Sequence, residues 1–391
     1  YVVWPEKLLL GDKADQKRVG DTIKTDAIGW LKSIKNGCFN VVVHDYGRRQ
    51  SLIMSDMFGF MPLYLLRDKV GVWFASDLSG IRSASSQKRE LDDTGLAELY
   101  WFGYQVGERT AYRDVKMVPP GAALTFSWDS DVVDERQWFS GIRKGKPVAA
   151  KEIPRTLVDL SVQACDRLYE PSLSYGIKLS GGMDSRMIAA SWRHGPMHSY
   201  TWGDGGCAEM RVAARLARRL GYKHRELPVQ GDFFRAIHPP MFRRFGVMDW
   251  VNDLGNPHML QDGCSAIFDG IMSDVLFAAT LNKRHDTRID SLRYALGMRF
   301  DERELPDSLD VVAEMLFESL RWDDSSLLLL LTKSAKEAID SQRDDILHDL
   351  STELARWKRD DDTIDSLIGK AKLYTRIRRN IALMGITCRP H

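Results

Sequence analysis

Ten residues constrain this chain more than any other stretch: Ile177-Lys178-Leu179-Ser180-Gly181-Gly182-Met183-Asp184-Ser185-Arg186. An apolar run enters a Ser-Gly-Gly turn and a helical pattern begins at once, so the spacing predicts strand, tight loop, helix. Glycines at such a turn permit a backbone closed to residues with a β-carbon and let the loop amides converge as a nest. The partial positive charge at the N-terminus of the next helix suits the loop to a polyphosphate. A Walker A loop would carry Lys after its glycines; here the position holds Asp184. A carboxylate beside phosphates is repelled unless a cation intervenes, which implies bound Mg2+. The plain alternative is a Gly-rich turn with Ser180 as a helix N-cap. The full S-G-G-x-D-S string between strand and helix favours the phosphate loop.

The flanking sequence predicts what kind of sheet carries that loop. Ile153 to Leu168 reads as an amphipathic helix, Ser174 to Leu179 as a strand and Ser185 to Arg193 as a helix. His198 to Trp202 reads as a strand, Ala208 to Leu220 as a helix and Ser265 to Phe268 as a strand. Strand–helix alternation means a parallel sheet with crossovers. The first 140 residues differ. Cys38 to Val43, Ser51 to Met54, Val70 to Ala75 and Ala123 to Phe126 are short β-rich runs bounded by turn residues, with a helical run from Leu91 to Phe102, which suggests antiparallel sheets. The Lys/Arg/Gly/Pro stretch 141–147 reads as a linker, giving domains over 1–140 and 148–391. After about residue 300 the strand signals vanish. Ala335, Ala338, Ile339, Ile346, Leu347, Leu350 and Leu354 keep near-helical spacing, so a helical layer is expected there.

Composition narrows the function classes. The chain has 391 residues with 55 Lys plus Arg against 54 Asp plus Glu, a net charge of +1, which removes the electrostatic case for a dedicated nucleic-acid binder. Five scattered cysteines with no C-x-x-C pair give neither a disulfide framework nor a zinc signature. No apolar run approaches the roughly 20 residues of a membrane span, and the start Tyr1-Val2-Val3-Trp4-Pro5 does not read as a signal peptide. The expectation is a cytoplasmic, multidomain enzyme. His194 and His198 are separated by Gly195-Pro196, which breaks the helix that would align them on a metal.

S-G-G-x-D-S resembles the pyrophosphate-loop motif of ATP pyrophosphatases, and the surrounding chain resembles the asparagine-synthetase superfamily, which includes glutamine-dependent asparagine synthetases, β-lactam synthetases and lasso-peptide cyclases. Ser55-Asp56 through Gly59, Pro62-Leu63-Tyr64 and Phe74-Ala75-Ser76-Asp77 resemble the family's R-D-x-x-G-x-x-P-L-Y…F-A-S-E segment. Pro120-Gly121 followed by Trp138 resembles its P-P-G…Y-W segment, and Phe268-Asp269-Gly270-Ile271-Met272-Ser273-Asp274 its L-S-G-x-G-x-D-E run. The resemblance is strong over about residues 35–280 and looser in the helical tail. It implies an N-terminal αββα sandwich of class II glutamine-amidotransferase type, then a parallel-sheet α/β ATP-pyrophosphatase domain with a helical C-terminal layer.

The resemblance also implies a site. Leu179, Ser180, Gly181, Gly182, Asp184 and Ser185 would hold ATP, the strand His198 to Trp202 would border the adenine with Trp202 and Gly203 presenting backbone groups, and Gly270 would end the strand opposite. Asp184 and Asp274 would ligate Mg2+. The implied reaction is adenylation of a small-molecule or peptide carboxylate, releasing pyrophosphate, then amide formation with an amine or ammonia. Arg186 either holds the leaving pyrophosphate or pairs on the helix surface. For Glu209, at the start of the next helix, charge complementarity with the helix N-terminus is a sufficient account.

Several positions depart from the family pattern. The family's glutaminase nucleophile is an N-terminal Cys, whereas position 1 is Tyr. Two readings stay open: a native start upstream, or a domain that does not hydrolyse glutamine. Cys38, in a predicted strand, reads as a small buried hydrophobe. Ile271 stands where asparagine synthetases have Glu and β-lactam synthetases Tyr, so an amine base, if needed, comes from elsewhere. Arg376, Arg378, Arg379 and Arg389-Pro390 resemble the segment before a late R-x-P-F-L-D region that this sequence does not reach. The three arginines could neutralise pyrophosphate, but a solvated helical face is the expected reading. The leading reading is an AMP-forming amide ligase, oligomeric or not. The alternative is a non-catalytic nucleotide-binding subunit that keeps the fold.

Overall fold

A computed structural model of the chain describes residues 13–34, 37–69, 71–84, 89–130, 133–142, 148–229, 259, 261–270, 305–321 and 331–379. The N-terminal part is an αββα sandwich. Strands β1 (Asn40–Asp45), β2 (Gln50–Ser55), β6 (Ala122–Ser127) and β7 (Val133–Gln137) form one antiparallel sheet in the order β1-β2-β6-β7. Strands β3 (Tyr64–Arg67), β4 (Val72–Ala75) and β5 (Val115–Met117) form the other, in the order β4-β3-β5. Period-2 alternation assigns the faces. Val42, Ile53, Leu124 and Phe126 point between the sheets against Leu63 and Val118. Val41, Met54 and Ala123 point outward, under Ile23 and Leu31 of helix α1 (Lys13–Ser33). On the far side, Leu78 and Ile81 of α2 (Leu78–Ala84) cover Tyr64, Leu66 and Met117.

The β-rich runs therefore hide a long first helix that the sequence reading did not assign. α1 is interrupted at Asp26, whose φ/ψ of −150°/79° leave the helical region while its Oδ1 accepts the Gly29 amide at 2.8 Å. A break of this kind blurs the 3.6-residue period by which helices are read. Cys38 also differs from expectation: it precedes β1 rather than lying within a strand.

The second part is built on a four-stranded sheet in the order β10-β9-β8-β11, parallel throughout. Its strands are β8 (Tyr175–Lys178), β9 (His198–Gly203), β10 (Lys223–Pro228) and β11 (Ala266–Phe268). Ile177 and Leu179 face a core shared with Cys165 of α4 (Ile153–Leu168), Ala189 of α5 (Met183–Ser191), and Ala213 and Ala217 of α6 (Ala208–Leu220). The chain leaves β8 toward β9 and β10, and β11 is added on the opposite side of β8. The order thus reverses at β8, the kind of switch point at which open α/β sheets form a crevice beyond their strand ends.

The helical layer comprises α7 (Asp310–Leu320), α8 (Lys333–Asp340), α9 (Arg343–Trp357) and α10 (Ile364–Lys372), followed by a π-turn over Leu373–Ile377. Its core is shared with the N-terminal part. Leu316, Phe317, Leu350, Leu354, Trp357 and Tyr374 pack with Ala97 and Phe102 of α3 (Asp93–Phe102), joined by Tyr104 and Val106. Charges flank that core: Arg109 meets Asp349 at 2.6 Å and Arg356 meets Glu108 at 2.6 Å. Arg378 and Arg379 lie on this interface, 1% and 4% exposed, so the solvated-face expectation is corrected. Arg378 donates to the carbonyls of Gly59 (3.3 Å) and Val118 (2.6 Å), and Arg379 to those of Gly107 (3.0 Å) and Arg109 (2.9 Å). Arg379 also donates to Met117 Sδ at 2.6 Å, so both guanidinium groups are turned onto N-terminal residues.

Candidate active site

The strand ends of the parallel sheet open into a cleft of about 340 Å3, lined by residues of the phosphate-loop string and its neighbours. Of the residues singled out in sequence, Leu179, Ser180, Asp184, Ser185, Trp202 and Gly270 line it. Gly181 and Gly182 complete the loop between β8 and α5. Gly203 ends β9 and is not among the lining residues; a β-carbon there would meet Cys207 and Met210.

The loop's glycines serve close approach rather than unusual backbone angles. Gly182 caps α5 with φ −75° and ψ 169°, an extended conformation open to any residue. A β-carbon on Gly181 would lie 3.2 Å from the Glu209 Cα, so this glycine lets α6 close on the loop. The nest expected from sequence is also partly filled from within. The Ser180 amide donates to Ser185 Oγ at 3.0 Å and the Gly182 amide to Ser180 Oγ at 3.1 Å. Attraction for an anion therefore falls to the first turn of α5, whose amides have no intrahelical acceptor and whose cap residue has no side chain to offer.

Gly270, just past the end of β11, abuts this turn. An ideal β-carbon built there would sit 2.7 Å from the Ser185 amide nitrogen, 3.0 Å from the Asp184 carbonyl carbon and 3.1 Å from the Asp184 Cβ. The exits of β8 and β11 thus share one edge of the cleft. Asp274 and Ile271, four residues and one residue further on, lie outside the described residues. Arg186 is exposed; its Nε donates to Gly182 O at 2.9 Å, and it does not line the cleft.

Tyr200 and Thr201, inside the strand expected to border the adenine, line the cleft too, and two further lining residues carried no expected role: Lys178 and Asp269. Glu209, read from the sequence only as a helix-end charge, lines the cleft as well. Lys178 was legible in principle, because a lysine inside the apolar strand run Gly176-Ile177-Lys178-Leu179 needs a buried partner. Asp269 supplies one at 2.9 Å, across parallel strands that no spacing rule connects. The lining therefore holds three carboxylates and one ammonium among the described residues.

The N-terminal sandwich has its own buried polar centre. Asp56 accepts the amides of Phe39 (3.2 Å), Phe58 (2.9 Å), Phe60 (3.4 Å) and Met61 (3.4 Å), and burial raises its carboxyl above the usual range. Ser55, where the resembling family run has Arg, donates to Pro119 O at 2.6 Å and accepts from the Ala122 amide at 3.1 Å. Burial, with Asp56 nearby, pushes the Cys38 thiol up to about 12, so it carries negligible thiolate at neutral pH. His194 stacks on Tyr169 at 3.9 Å and meets Asp166 at 2.8 Å.

Residues 157–372 match the asparagine synthase family and residues 30–139 the glutamine amidotransferase domain family. The chain belongs to the asparagine synthase family. Its N-terminal sandwich is an amidotransferase-type domain. Over 174 residues the chain is 26% identical to asparagine synthetase [glutamine-hydrolyzing] 3 of Bacillus subtilis (strain 168), a match covering 42% of this chain and 28% of that protein. It thus spans well under two thirds of that relative's length. Among solved structures it is similar to an NH3-dependent NAD synthetase from Campylobacter jejuni, with 15% identity, a TM-score of 0.23, and coverage of 51% of this chain and 95% of that one. A glutamine-dependent NAD+ synthetase from Acinetobacter baumannii, solved with adenosine diphosphate, shows 12% identity, a TM-score of 0.23, and coverage of 87% and 83%. No helix among the described residues is long and apolar enough to cross a membrane.

Proposed function

We propose that the chain is an ATP-dependent carbon–nitrogen ligase that adenylates a carboxylate and transfers the acyl group to an amine or ammonia, with AMP and pyrophosphate as products. The observation that carries this reading is the cleft itself: the uncapped N-terminus of α5 and Asp184 open into it at the sheet's switch point, within a chain of asparagine synthase type. Domains over 1–140 and 148–391, joined by 141–147, belong to the same proposal.

The lining fits Mg2+. Asp184 and Glu209 offer hard oxygen donors, while Asp269 is paired with Lys178, and no group of three or more His, Cys, Asp or Glu among the described residues makes a self-sufficient cage. Mg2+ is held typically by one or two carboxylates together with substrate phosphates and water. Asp184 would hold the ion, with Asp274 as the second proposed ligand, and the ion would offset charge building on the pyrophosphate.

The chain's own residues position and exclude. The α5 first turn binds the phosphates, and Ser180 and Ser185 fix the loop through their mutual 3.0 Å contact. A substrate carboxylate oxygen then attacks the α-phosphorus as the bond to pyrophosphate breaks. The amine attacks the resulting acyl carbon, AMP leaves, and the amine proton passes to a base that the aliphatic Ile271 cannot supply. Walls formed by Trp202, Tyr200 and the Gly270 turn keep water from the activated acyl group. Arg186 has no part in this scheme.

ATP–pyrophosphate exchange across candidate amino-acid and peptide carboxylates tests the reading. Exchange with at least one of them is expected. Mg2+-dependent ATP binding with no exchange on any would instead favour a non-catalytic nucleotide-binding subunit.

A further inference from the structure

Lys178 and Asp269 form an ion pair inside the cleft to which the adenylation scheme gives no role. Lys178 is the last residue of β8 and Asp269 follows the last residue of β11; Ile177 and Phe268 are register partners, so the pair is the next rung beyond the ladder. Nζ and Oδ2 are 2.9 Å apart, with the side chains 6% and 22% exposed. The ammonium also lies 5.9 Å from the centre of the Trp202 ring across the cleft wall. Taking two charges out of water is costly, and the fold does not demand it: the resembling family run has Ser where Asp269 stands.

What the pair touches gives its use. Immediately after Asp269 comes Gly270, which sits so close to the Asp184–Ser185 turn that a β-carbon there would fall 2.7 Å from the Ser185 amide nitrogen. The register pairs of β8 and β11 run from Tyr175 and Ala266 to Ile177 and Phe268, so the ion pair stands at the open end of the ladder, where the two strands leave the sheet. An ion pair in a poorly hydrated site holds two elements at a set distance far more strongly than the same pair in water. We propose that the Lys178–Asp269 ion pair is a positioning element of the nucleotide site, drawing the Gly270 turn onto the N-terminal turn of α5 and so setting the width of the cleft between the phosphate-binding amides and Trp202. This inference rests on the nucleotide reading of the same cleft.

The test compares the full wild-type chain with the double variant Lys178→Met/Asp269→Ser, which removes both charges and leaves neither buried alone. Calorimetric titration with Mg2+ and ATP, a thermal melt, and peptide-resolved hydrogen exchange over 176–185 and 264–270 are the readouts. The double variant is expected to melt near the wild-type midpoint, bind the nucleotide about tenfold more weakly, and exchange faster over 264–270. Single Lys178→Met, which leaves a carboxylate facing the phosphates, is expected to bind more weakly still. Wild-type affinity in the folded double variant, to within about twofold, overturns the proposal. Should that variant melt early, the near-isosteric Asp269→Asn decides in its place, and undiminished affinity there overturns the proposal equally. If the wild-type chain itself binds no nucleotide, the nucleotide reading fails, and unchanged exchange over 264–270 removes the positioning role independently.

Discussion

Replacing Gly270 by Ala adds one methyl group where the β11 exit approaches the first turn of α5. The new β-carbon would stand 2.7 Å from the Ser185 amide nitrogen and 3.0 Å from the Asp184 carbonyl carbon. An ordinary contact needs the two segments to part by about 0.7 Å. No side-chain rotation relieves this, because the opposing atoms are mostly backbone. Overpacking of this kind costs about 1–3 kcal/mol. The displacement falls on the α5 first turn, where positioning errors of about 1 Å can cost a hundredfold in rate. Gly270→Ala is therefore expected to weaken Mg2+-dependent ATP binding at least tenfold, about 1.4 kcal/mol, by calorimetry. Its melting midpoint should fall by about 1–4 °C. Gly369→Ala is the matched control. Gly369 lies within α10 with nothing within 4 Å of its added β-carbon, so this change should stabilise the chain by about 0.5–1 kcal/mol and leave nucleotide binding unchanged. Wild-type affinity in Gly270→Ala would refute the claim that the β11 turn and the α5 N-terminus form one site.

Other outcomes follow from the same structure. Asp184→Asn keeps the shape of the α5 first turn but loses a charge, so Mg2+-dependent ATP binding and any pyrophosphate exchange should drop at least a hundredfold, about 2.7 kcal/mol, while the melt is preserved. Glu98 is fully buried, and desolvation, aided by Asp349, holds its carboxyl well above the ordinary range. The folded state therefore keeps a proton that the unfolded state releases near pH 4.5; stability from this group is present below that pH and is lost as pH rises toward the folded value. Denaturant titrations should show Glu98→Gln gaining on wild type by up to about 1.4 kcal/mol per pH unit across that window, and a pH-independent difference would contradict the assignment. Arg378→Met strips donors from the Gly59 and Val118 carbonyls at the interface and should cost about 1–3 kcal/mol in urea unfolding.

The sequence alone determined the order of elements around the site. The helix expected over Ile153–Leu168 and that over Ala208–Leu220 have those bounds in the structure, because each follows a strong amphipathic period with local stop signals. The strand, loop and helix around Ser180-Gly181-Gly182 were legible for the same reason: turn chemistry and helix starts are local properties. β10 was not legible, since Lys223-His224-Arg225-Glu226 is polar and becomes a strand only by pairing with β9. Tertiary structure alone decided which distant residues meet. Nothing in local spacing links Lys178 to Asp269, seats Gly270 on Ser185, or buries Arg378 against Gly59. These contacts arise from strand order in the parallel sheet and from the docking of two parts on one core, where burial outweighs the preference of charged side chains for water.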